Sequence, residues 1–234
     1  MLPAIILSGG LAERLKPLTD KIPKALLPIC GQPFIFHQLK LLKEKGFSDI
    51  VVSIGFLGDM IETAVGDGSS FALNVRYCRD GKKPLGTGGA LKKAVSTIAE
   101  DDFFILYGDA YLDINYKEIE RTYFASERKT IMTVYKNGGM FDKSNVIFRD
   151  GLLKKYSKKN TVPDMDYIDY GLGIMRKSIL FDFDADIFDL AQLYEKLSDE
   201  NSLLGYEVFN RFYEIGSLSG IKELEVFLNG KNKK

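Results

Sequence analysis

The chain has 234 residues, of which 45% are hydrophobic and 12% aromatic, enough to bury the core of one large domain. Lys and Arg total 32, as do Asp and Glu, which excludes a global charge that would recruit nucleic acid or an anionic membrane. The apolar runs are strand-sized and no basic segment precedes the first, so we expect neither secretion nor membrane spanning. The two cysteines, Cys30 and Cys78, do not form a disulfide framework, which is typical of a cytoplasmic protein.

The first half of the chain alternates between strands and helices. An apolar run at 3–8 predicts a buried strand that ends at the glycine pair 9–10. Further strands are predicted at 49–55, 72–78 and 103–109, with helices at 33–46, 57–66 and 86–99. Strands that are apolar throughout and separated by helices indicate a parallel sheet covered on both faces.

The second half has more strands in close succession, several joined by short turns. Strands are predicted at 130–136, 145–148, 152–157 and 167–175, and helices near 187–198 and along the stripe Leu218, Ile221, Leu224 and Leu228. Because short turns join neighbouring strands, we expect antiparallel additions to the sheet. The prediction is a Rossmann-like, three-layer α/β sandwich with a mostly parallel central sheet, forming one domain over 1–234 without internal repeats.

The segment from 7 to 29 is the most informative part of the sequence. A buried strand opens into Gly9 and Gly10, and Arg14, Lys16 and Lys24 follow. Glycines allow backbone amides to approach phosphate oxygens, and fixed cations offset the charge on a pyrophosphate leaving group. Spacing alone also allows an ordinary turn with solvated cations.

Taken whole, this segment resembles the signature of the sugar-phosphate nucleotidyltransferase family: a glycine loop with Arg, then Leu-x-Pro-Leu-Thr, then Pro-Lys. The matching residues are Arg14, Leu15, Pro17, Leu18, Thr19, Pro23 and Lys24. The resemblance implies the nucleotide-diphospho-sugar transferase fold and catalytic, triphosphate-contacting roles for Arg14 and Lys24. Ala12 and Glu13 depart from the usual Gly-Thr, which leaves the pose of the triphosphate open.

The resemblance extends over nearly the full chain, and the segment PLGTGGAL at 84–91 is similar to the family segment that closes over the nucleoside. It implies nucleotide contacts from Gly86 and Thr87, in addition to Leu7, Gly9 and Gly10 of the first loop. In isolation, the glycines at the start of this helix also fit tight packing against a neighbouring element.

Two acidic residues are implied as ligands of Mg²⁺. Asp109 follows the apolar strand 103–109, where α/β folds place metals, and Glu214 occupies the place of the acid in the family's late motif. A strand-end turn or a helix cap is the alternative for Asp109, and a solvent-facing position for Glu214. Asp113 is a weaker second candidate for the metal.

The sugar side is implied by two later segments. The stretch 150–160 resembles the family segment that ends in Glu-Lys, which aligns Lys159 with the lysine that grips the sugar phosphate and places Lys158 where the Glu is expected. A solvated strand edge is the alternative for these lysines. The segment 167–175 resembles the sugar-facing segment, with Asp169 accepting hydrogen bonds from sugar hydroxyls and Gly171 allowing the ring to lie close. His37, the only histidine, is assigned no role.

The resemblance implies an enzyme that condenses a sugar 1-phosphate with a nucleoside triphosphate, with Mg²⁺, for cell-surface polysaccharide or glycoconjugate biosynthesis. The nucleotide-binding half is 1–115 and the sugar-binding half 116–234, and without hexapeptide repeats we expect no β-helix acyltransferase domain. Guanylyl or uridylyl transfer to a heptose, mannose or amino-sugar 1-phosphate stays open, as does the oligomeric state. A non-catalytic regulatory subunit of the same fold is the alternative. A dinucleotide-binding oxidoreductase is disfavoured, since the spacing GxGxxG is missing.

Overall fold

The computed structural model of the chain describes residues 1–10, 12–81 and 83–231. The strands, in chain order, are β1 (Ala4–Ser8), β2 (Pro28–Ile29), β3 (Gln32–Pro33), β4 (Asp49–Ile54), β5 (Asn74–Arg79), β6 (Asp102–Tyr107), β7 (Ala110–Tyr111), β8 (Thr130–Lys136), β9 (Val146–Arg149), β10 (Leu152–Tyr156), β11 (Tyr167–Arg176), β12 (Leu204–Val208) and β13 (Tyr213–Glu214). The helices are α1 (Phe34–Glu44), α2 (Gly58–Val65), α3 (Gly86–Ala94), α4 (Tyr116–Ala125), α5 (Lys177–Phe181), α6 (Leu190–Asp199) and α7 (Leu218–Lys231).

One nine-stranded sheet runs through both halves of the chain in the order β5-β4-β1-β6-β11-β8-β12-β10-β9. The four strands from β5 to β6 are parallel, while β11 is antiparallel to both β6 and β8. Two small ribbons, β2–β3 and β7–β13, lie outside this sheet. Because the carboxyl ends of β1, β4, β5 and β6 meet at one edge, the loops that follow them are brought together.

Alternating residues of the central strands contribute to two hydrophobic cores, one on each face of the sheet. Ile5 lies opposite Val51 and Ile105 in the register, and this row packs against α3, α5 and α6. Ala4 and Ile6 point to the other face, which α1, α2 and α4 cover. The sheet is therefore the middle layer of a three-layer sandwich.

An ion pair between the buried Asp102 and the partly exposed Arg176 joins the parallel strands to the antiparallel ones at the end of the sheet where β6 begins. Asp102 accepts hydrogen bonds from Nε and Nη2 of Arg176, at 2.9 and 3.0 Å, and from the hydroxyl of Tyr123 at 2.6 Å. Burial raises the pKa of Asp102, but the hydrogen bonds from Arg176 and Tyr123 outweigh it and hold the pKa below its usual value. The pair fixes the β6–β11 register at Asp102 and Arg176.

The predicted elements agree with the structure in most of the chain, with shifts of one to three residues at their ends. The strand at 130–136 has the predicted bounds, whereas the helix predicted at 86–99 ends at Ala94 and continues as a short 3₁₀ turn, Val95–Thr97. The sequence reading missed α4, α5, β12 and the two-residue strands. In the part of the chain that the structure describes, no helix is long and apolar enough to cross a membrane.

Candidate functional site

A cleft of about 860 Å³ opens at the carboxyl ends of β1, β4, β5 and β6. The glycine loop after β1 forms its floor, together with residues that follow the other three strands. Two residues from the second half of the chain, Lys158 and Gly216, also reach it. The volume is within the range of small-molecule sites, and the position is where open α/β sheets bind their ligands.

The glycine loop approaches the neighbouring strand end closely. A Cβ atom at Gly55 would lie 2.6 Å from the carbonyl oxygen of Gly9, so the two backbones pass each other without side chains between them. Leu7, Gly9 and Gly10, which were predicted to bind nucleotide, all line the cleft. Gly9 and Gly10 therefore present only backbone to the cleft.

The motif after the glycines holds Arg14 in position. Leu15 is buried, and the hydroxyl of the buried Thr19 donates to the carbonyl oxygen of Ala12 at 2.9 Å, which closes the loop. Ala12 takes a left-handed conformation with φ 50°, the region that favours the glycine usual at this position. Leu15 and Thr19 thus have structural roles, and Arg14 is exposed at the cleft.

Lys24 and Asp109 form an ion pair across 85 residues of sequence, with Nζ and Oδ2 2.7 Å apart. Lys24 begins a short 3₁₀ helix whose Ala25 and Leu26 are buried, and Asp109 follows β6. Both side chains are partly exposed in the cleft, 21% and 29%. The pair offers one group to an anion and the other to a cation.

Glu214 is brought beside Asp109 by the ribbon β7–β13. Glu214 lies opposite Ala110, and the amide of Ile215 donates to the carbonyl oxygen of Asp109 at 3.0 Å. The Glu214 carboxylate accepts hydrogen bonds from the Ser217 hydroxyl at 2.7 Å and from the amide of Gly216. A Cβ at Gly216 would lie 2.6 Å from Oε2 of Glu214, 2.9 Å from Nη2 of Arg14 and 3.6 Å from Oδ2 of Asp109. These three charged groups therefore converge on Gly216.

Asp113, the second metal candidate, lies outside the cleft. Its carboxylate pairs with Nζ of Lys45 at 2.5 Å and with Nζ of Lys231 at the end of α7. Because these ion pairs engage both carboxylate oxygens and fasten α7 to the body of the fold, the prediction of a metal role for Asp113 was wrong.

The acidic groups at the cleft fit a Mg²⁺ ion shared with a substrate. Among the described residues, no group of three or more His, Cys, Asp or Glu side chains could enclose a metal ion by itself. Mg²⁺, however, is commonly held by one or two carboxylates, with substrate phosphates and waters completing the octahedron. Asp109 at the cleft, with Glu214 beside it, supplies this donor set.

Gly86 and Thr87 begin α3 and line the cleft, but both are also engaged with the start of α6. The Thr87 hydroxyl donates to Oδ1 of Asp189 at 3.0 Å and accepts from the amide of Leu190 at 2.8 Å. Gly86 has φ +73°, and a Cβ there would lie 2.4 Å from the carbonyl oxygen of Phe188. The glycine-rich run is therefore required for packing, and any nucleotide contact from it comes chiefly from backbone.

The lysine at the other end of the cleft is Lys158, not the predicted Lys159. Both lysines are exposed, but only Lys158 lines the cleft, with its Nζ 5.5 Å from the centroid of the Tyr107 ring, and Lys159 is not among the lining residues. The β9–β10 register shifts between Leu153 and Lys155, so the buried residues of β10 do not follow strict alternation. Lys158 and Lys159 follow the end of β10 in a bend, where alternation along a strand no longer indicates which side chain faces the cleft.

Asp169 lies behind the cleft rather than in it. Its Oδ2 accepts from the hydroxyls of Tyr107 at 2.6 Å and Tyr156 at 3.5 Å, and its Oδ1 accepts from the amide of Gly171 at 2.9 Å. Burial raises the pKa of Asp169, against the opposing effects of Lys158 and these hydrogen bonds. Gly171, at φ +89°, packs beside the Tyr107 ring. Neither residue is among those that line the cleft, so both instead position Tyr107, which does.

Asp80 and Ser53 were missed by the sequence reading. Asp80 directly follows β5 and lines the cleft, so the rule that singled out Asp109 after a parallel strand would have found it. Ser53 is buried within β4 and gives no signal in the sequence. His37, which was assigned no role, contacts the carbonyl oxygen of Ile29 through Nε2 at 2.8 Å.

Comparisons with known proteins agree with this geometry. Residues 3–138 match the model of the nucleotidyl transferase family. Over 113 residues the chain is 39% identical to N-acetylmuramate alpha-1-phosphate uridylyltransferase of Neisseria meningitidis, a match that covers 48% of this chain and 49% of that protein. It is 28% identical to D-glycero-alpha-D-manno-heptose 1-phosphate guanylyltransferase of Aneurinibacillus thermoaerophilus, over 90% of this chain and 87% of that one.

Among solved structures, HddC from Yersinia pseudotuberculosis complexed with GMP-PN superposes with a TM-score of 0.83 at 24% identity, covering 97% of this chain and 100% of that one. At this level of identity the likeness concerns the fold, and it confirms the predicted three-layer α/β architecture. The chain belongs to the nucleotidyl transferase family, as the resemblance of its early loop predicted.

Proposed function

We propose that the protein transfers a nucleotidyl group from a nucleoside triphosphate to a sugar 1-phosphate, forming an NDP-sugar and pyrophosphate. The convergence of Arg14, Lys24 and Asp109 on one glycine loop carries this proposal. The family membership supports it, as do the activities for which the relatives are named, uridylyl and guanylyl transfer to sugar 1-phosphates. The match covers about half of the uridylyltransferase, so its substrates are not carried over.

In this reaction an oxygen of the sugar phosphate attacks the α-phosphorus, and the bond from that phosphorus to the pyrophosphate oxygen breaks. The attacking oxygen is already an anion, so no general base is needed. The work of the protein is to position two polyanions and to neutralise the charge that moves onto the pyrophosphate.

The residues divide these tasks by their places in the cleft. Arg14 and Lys24 bind the phosphates beside the glycine loop, and Gly9 and Gly10 of that loop line the same cleft. Asp109, with Glu214 beside it, would hold Mg²⁺, which would neutralise phosphate charge and polarise the α-phosphate. Lys158 binds the phosphate of the sugar, and the pair Tyr107 and Asp169 supports that end of the cleft.

We further propose that the whole chain acts as one catalytic domain in the cytoplasm. An NDP-sugar is an activated glycosyl donor, so the product serves a glycosyl transfer in polysaccharide or glycoconjugate synthesis.

The test is pyrophosphate release with Mg²⁺ across a matrix of nucleoside triphosphates and hexose, amino-sugar and heptose 1-phosphates. Release that requires both substrates in the same reaction, with the NDP-sugar identified by mass spectrometry, is the expected result. Nucleotide binding without release in any combination would overturn catalysis and leave the non-catalytic regulatory subunit.

A further inference from the structure

We infer that the Asp80 carboxylate recognises the base of the nucleotide by accepting hydrogen bonds from it, and that the base is guanine. The inference rests on the proposed function, because it takes the cleft as the site of a nucleoside triphosphate. It concerns one end of the cleft, where β4 and β5 finish, and two polar side chains there that the phosphate chemistry does not use.

The base has one end of the cleft available to it. Arg14, Lys24 and Asp109 lie beside the glycine loop, and Lys158 lies beyond them at the end of β10. On the other side of the loop the cleft continues past Ser53 and Gly55 to Asp80 and Pro84. A triphosphate on the loop with the sugar phosphate at Lys158 therefore leaves the Asp80 end for the nucleoside.

The Asp80 carboxylate is held against the loop. Its Oδ2 lies 3.2 Å from the position that a Cβ of Gly9 would occupy, and its amide donates to the carbonyl oxygen of Ile54 at 3.1 Å. Burial raises the pKa of Asp80, with Lys93 and the Leu85 amide acting in the opposite direction. The carboxylate is partly withdrawn from water, and a hydrogen bond to it there is stronger than one at the open surface.

A second polar group at this end lacks a partner. Ser53 borders the cleft and is only 1% exposed. Its buried hydroxyl has no hydrogen-bond partner among the described residues. A buried hydroxyl without a partner is unfavourable, so a ligand that forms a hydrogen bond with it is favoured. Ser53 thus offers a donor for a carbonyl of the base, and Asp80 offers two acceptor oxygens.

Among the nucleobases, guanine matches this set best. Its edge carries the O6 carbonyl, then N1–H, then the 2-amino group, so two adjacent donors face a carboxylate and a carbonyl remains for Ser53. Uracil and thymine have one donor between two carbonyls, and one of these would face a carboxylate oxygen. Adenine and cytosine place a ring nitrogen acceptor next to their amino group, which a carboxylate repels.

The test uses binding and turnover with four triphosphates: GTP, ITP, UTP and XTP. ITP lacks the 2-amino group of guanine, and XTP replaces it with a carbonyl. We expect the wild type to bind GTP about 10–100-fold more tightly than ITP, since one charge-assisted hydrogen bond is lost, and to bind UTP more weakly still. Titration calorimetry with Mg²⁺ measures this without requiring catalysis.

Asp80→Asn is the decisive variant. The Asn amide can accept from N1–H and donate to the 2-carbonyl of xanthine, so the variant should lose GTP affinity by about 10–100-fold and gain XTP affinity. Asp59→Asn is the matched control, because Asp59 is an exposed carboxylate on α2, paired with Arg79 and not among the cleft-lining residues. It should keep the wild-type order of affinities.

Three results would overturn the inference: equal affinity of the wild type for GTP and ITP, preference for UTP, or an equal loss for all four triphosphates in Asp80→Asn. An equal loss for all four triphosphates would mean that Asp80 only orders the glycine loop and does not contact the base. Pyrophosphate release with UTP in any of these cases would leave the proposed function intact. GTP selectivity without release would remove the proposed function and keep the base assignment.

Discussion

The two ends of the cleft are built from different kinds of structure. The nucleotide end lies on four parallel strands, and each functional group there follows the carboxyl end of a strand or lies in the loop after β1. The sugar end draws on β10 and β11, whose pairings contain register shifts next to Leu153 and Asp169. Parallel strands bring their ends to one edge whatever their side chains, whereas an antiparallel strand with a bulge places residues only once its register is known.

This difference explains how the predicted residues fared. Arg14, Lys24 and Asp109, which were predicted to contact the triphosphate or its metal, all line the cleft. At the sugar end neither predicted residue lines the cleft: Lys159 is exposed outside it, and Asp169 accepts hydrogen bonds from the hydroxyls of Tyr107 and Tyr156. A motif therefore locates a site residue more reliably when it lies at a strand end in a parallel sheet than when it follows a bulged strand.

The largest effect should come from the nucleotide end. Arg14→Ala or Asp109→Ala should lower turnover by a factor on the order of 10²–10⁴, because each removes a fixed charge from the phosphates or their metal. Asp113→Ala is the control, since Asp113 pairs with Lys45 and Lys231 outside the cleft. Steady-state pyrophosphate release, with circular dichroism to verify folding, measures this. Near wild-type turnover in either variant would remove that residue from the mechanism.

At the sugar end, substitutions of the two neighbouring lysines, Lys158 and Lys159, test which of them binds the sugar phosphate. Lys158→Ala should raise the KM for the sugar 1-phosphate about 10–100-fold, the effect of one charge-assisted hydrogen bond, while the KM for the nucleotide changes little. Lys159→Ala should leave both constants within about two-fold of wild type, since surface substitutions of this kind have small effects. The reverse pattern would restore the lysine that the sequence aligned and contradict the placement of Lys158.

The two regions share one sheet, and the Asp102–Arg176 pair tests whether they unfold together. Asp102→Asn should lower the free energy of unfolding at pH 7 by about 1–2 kcal/mol, below the full value for a charged hydrogen bond because Arg176 is 44% exposed. The folded-state pKa of Asp102 is lowered, so its contribution is complete above the unfolded pKa, about 3.9, and is lost as the pH falls through the folded value.

The difference between wild type and Asp102→Asn should therefore shrink below about pH 4. Urea denaturation followed by both fluorescence and circular dichroism measures it. Two separate transitions in the wild type would show that the parallel and antiparallel parts unfold independently. A difference that stays constant between pH 7 and pH 3 would contradict the contribution of the ion pair.

The smallest effect concerns the loop itself. Ala12→Gly should stabilise the protein by about 0.5–1 kcal/mol, because the left-handed conformation is costly for alanine, while the greater freedom of unfolded glycine offsets part of the gain. Thermal unfolding measures this. Ala72→Gly is a matched comparison, since Ala72 is also left-handed, with φ 54°, but lies outside the cleft. Loss of stability in Ala12→Gly would contradict the backbone assignment.

The sequence by itself determined the alternation of strands and helices and the position of the glycine loop. Periodic apolar residues and Gly or Pro punctuation act over a few residues, so they can be read without the fold. The helix at 116–125 escaped this reading, since aromatic and charged residues mask the stripe formed by Tyr116, Ile119 and Tyr123. The early loop also carried the family resemblance, because its residues are contiguous and few other structures need that pattern.

The tertiary structure alone decided which residues meet. The order of strands in the sheet brings Lys24 to Asp109 and the ribbon β7–β13 brings Glu214 to Asp109, and contacts over such separations leave no local pattern. Packing against α6 engaged Thr87, which the sequence assigned to the nucleotide. Lys158 rather than Lys159 lines the cleft, and both lie in the bend that follows β10. Neither contacts between distant segments nor the direction of a side chain in a bend follow from the local periodicity of apolar residues, so they become visible only in the folded chain.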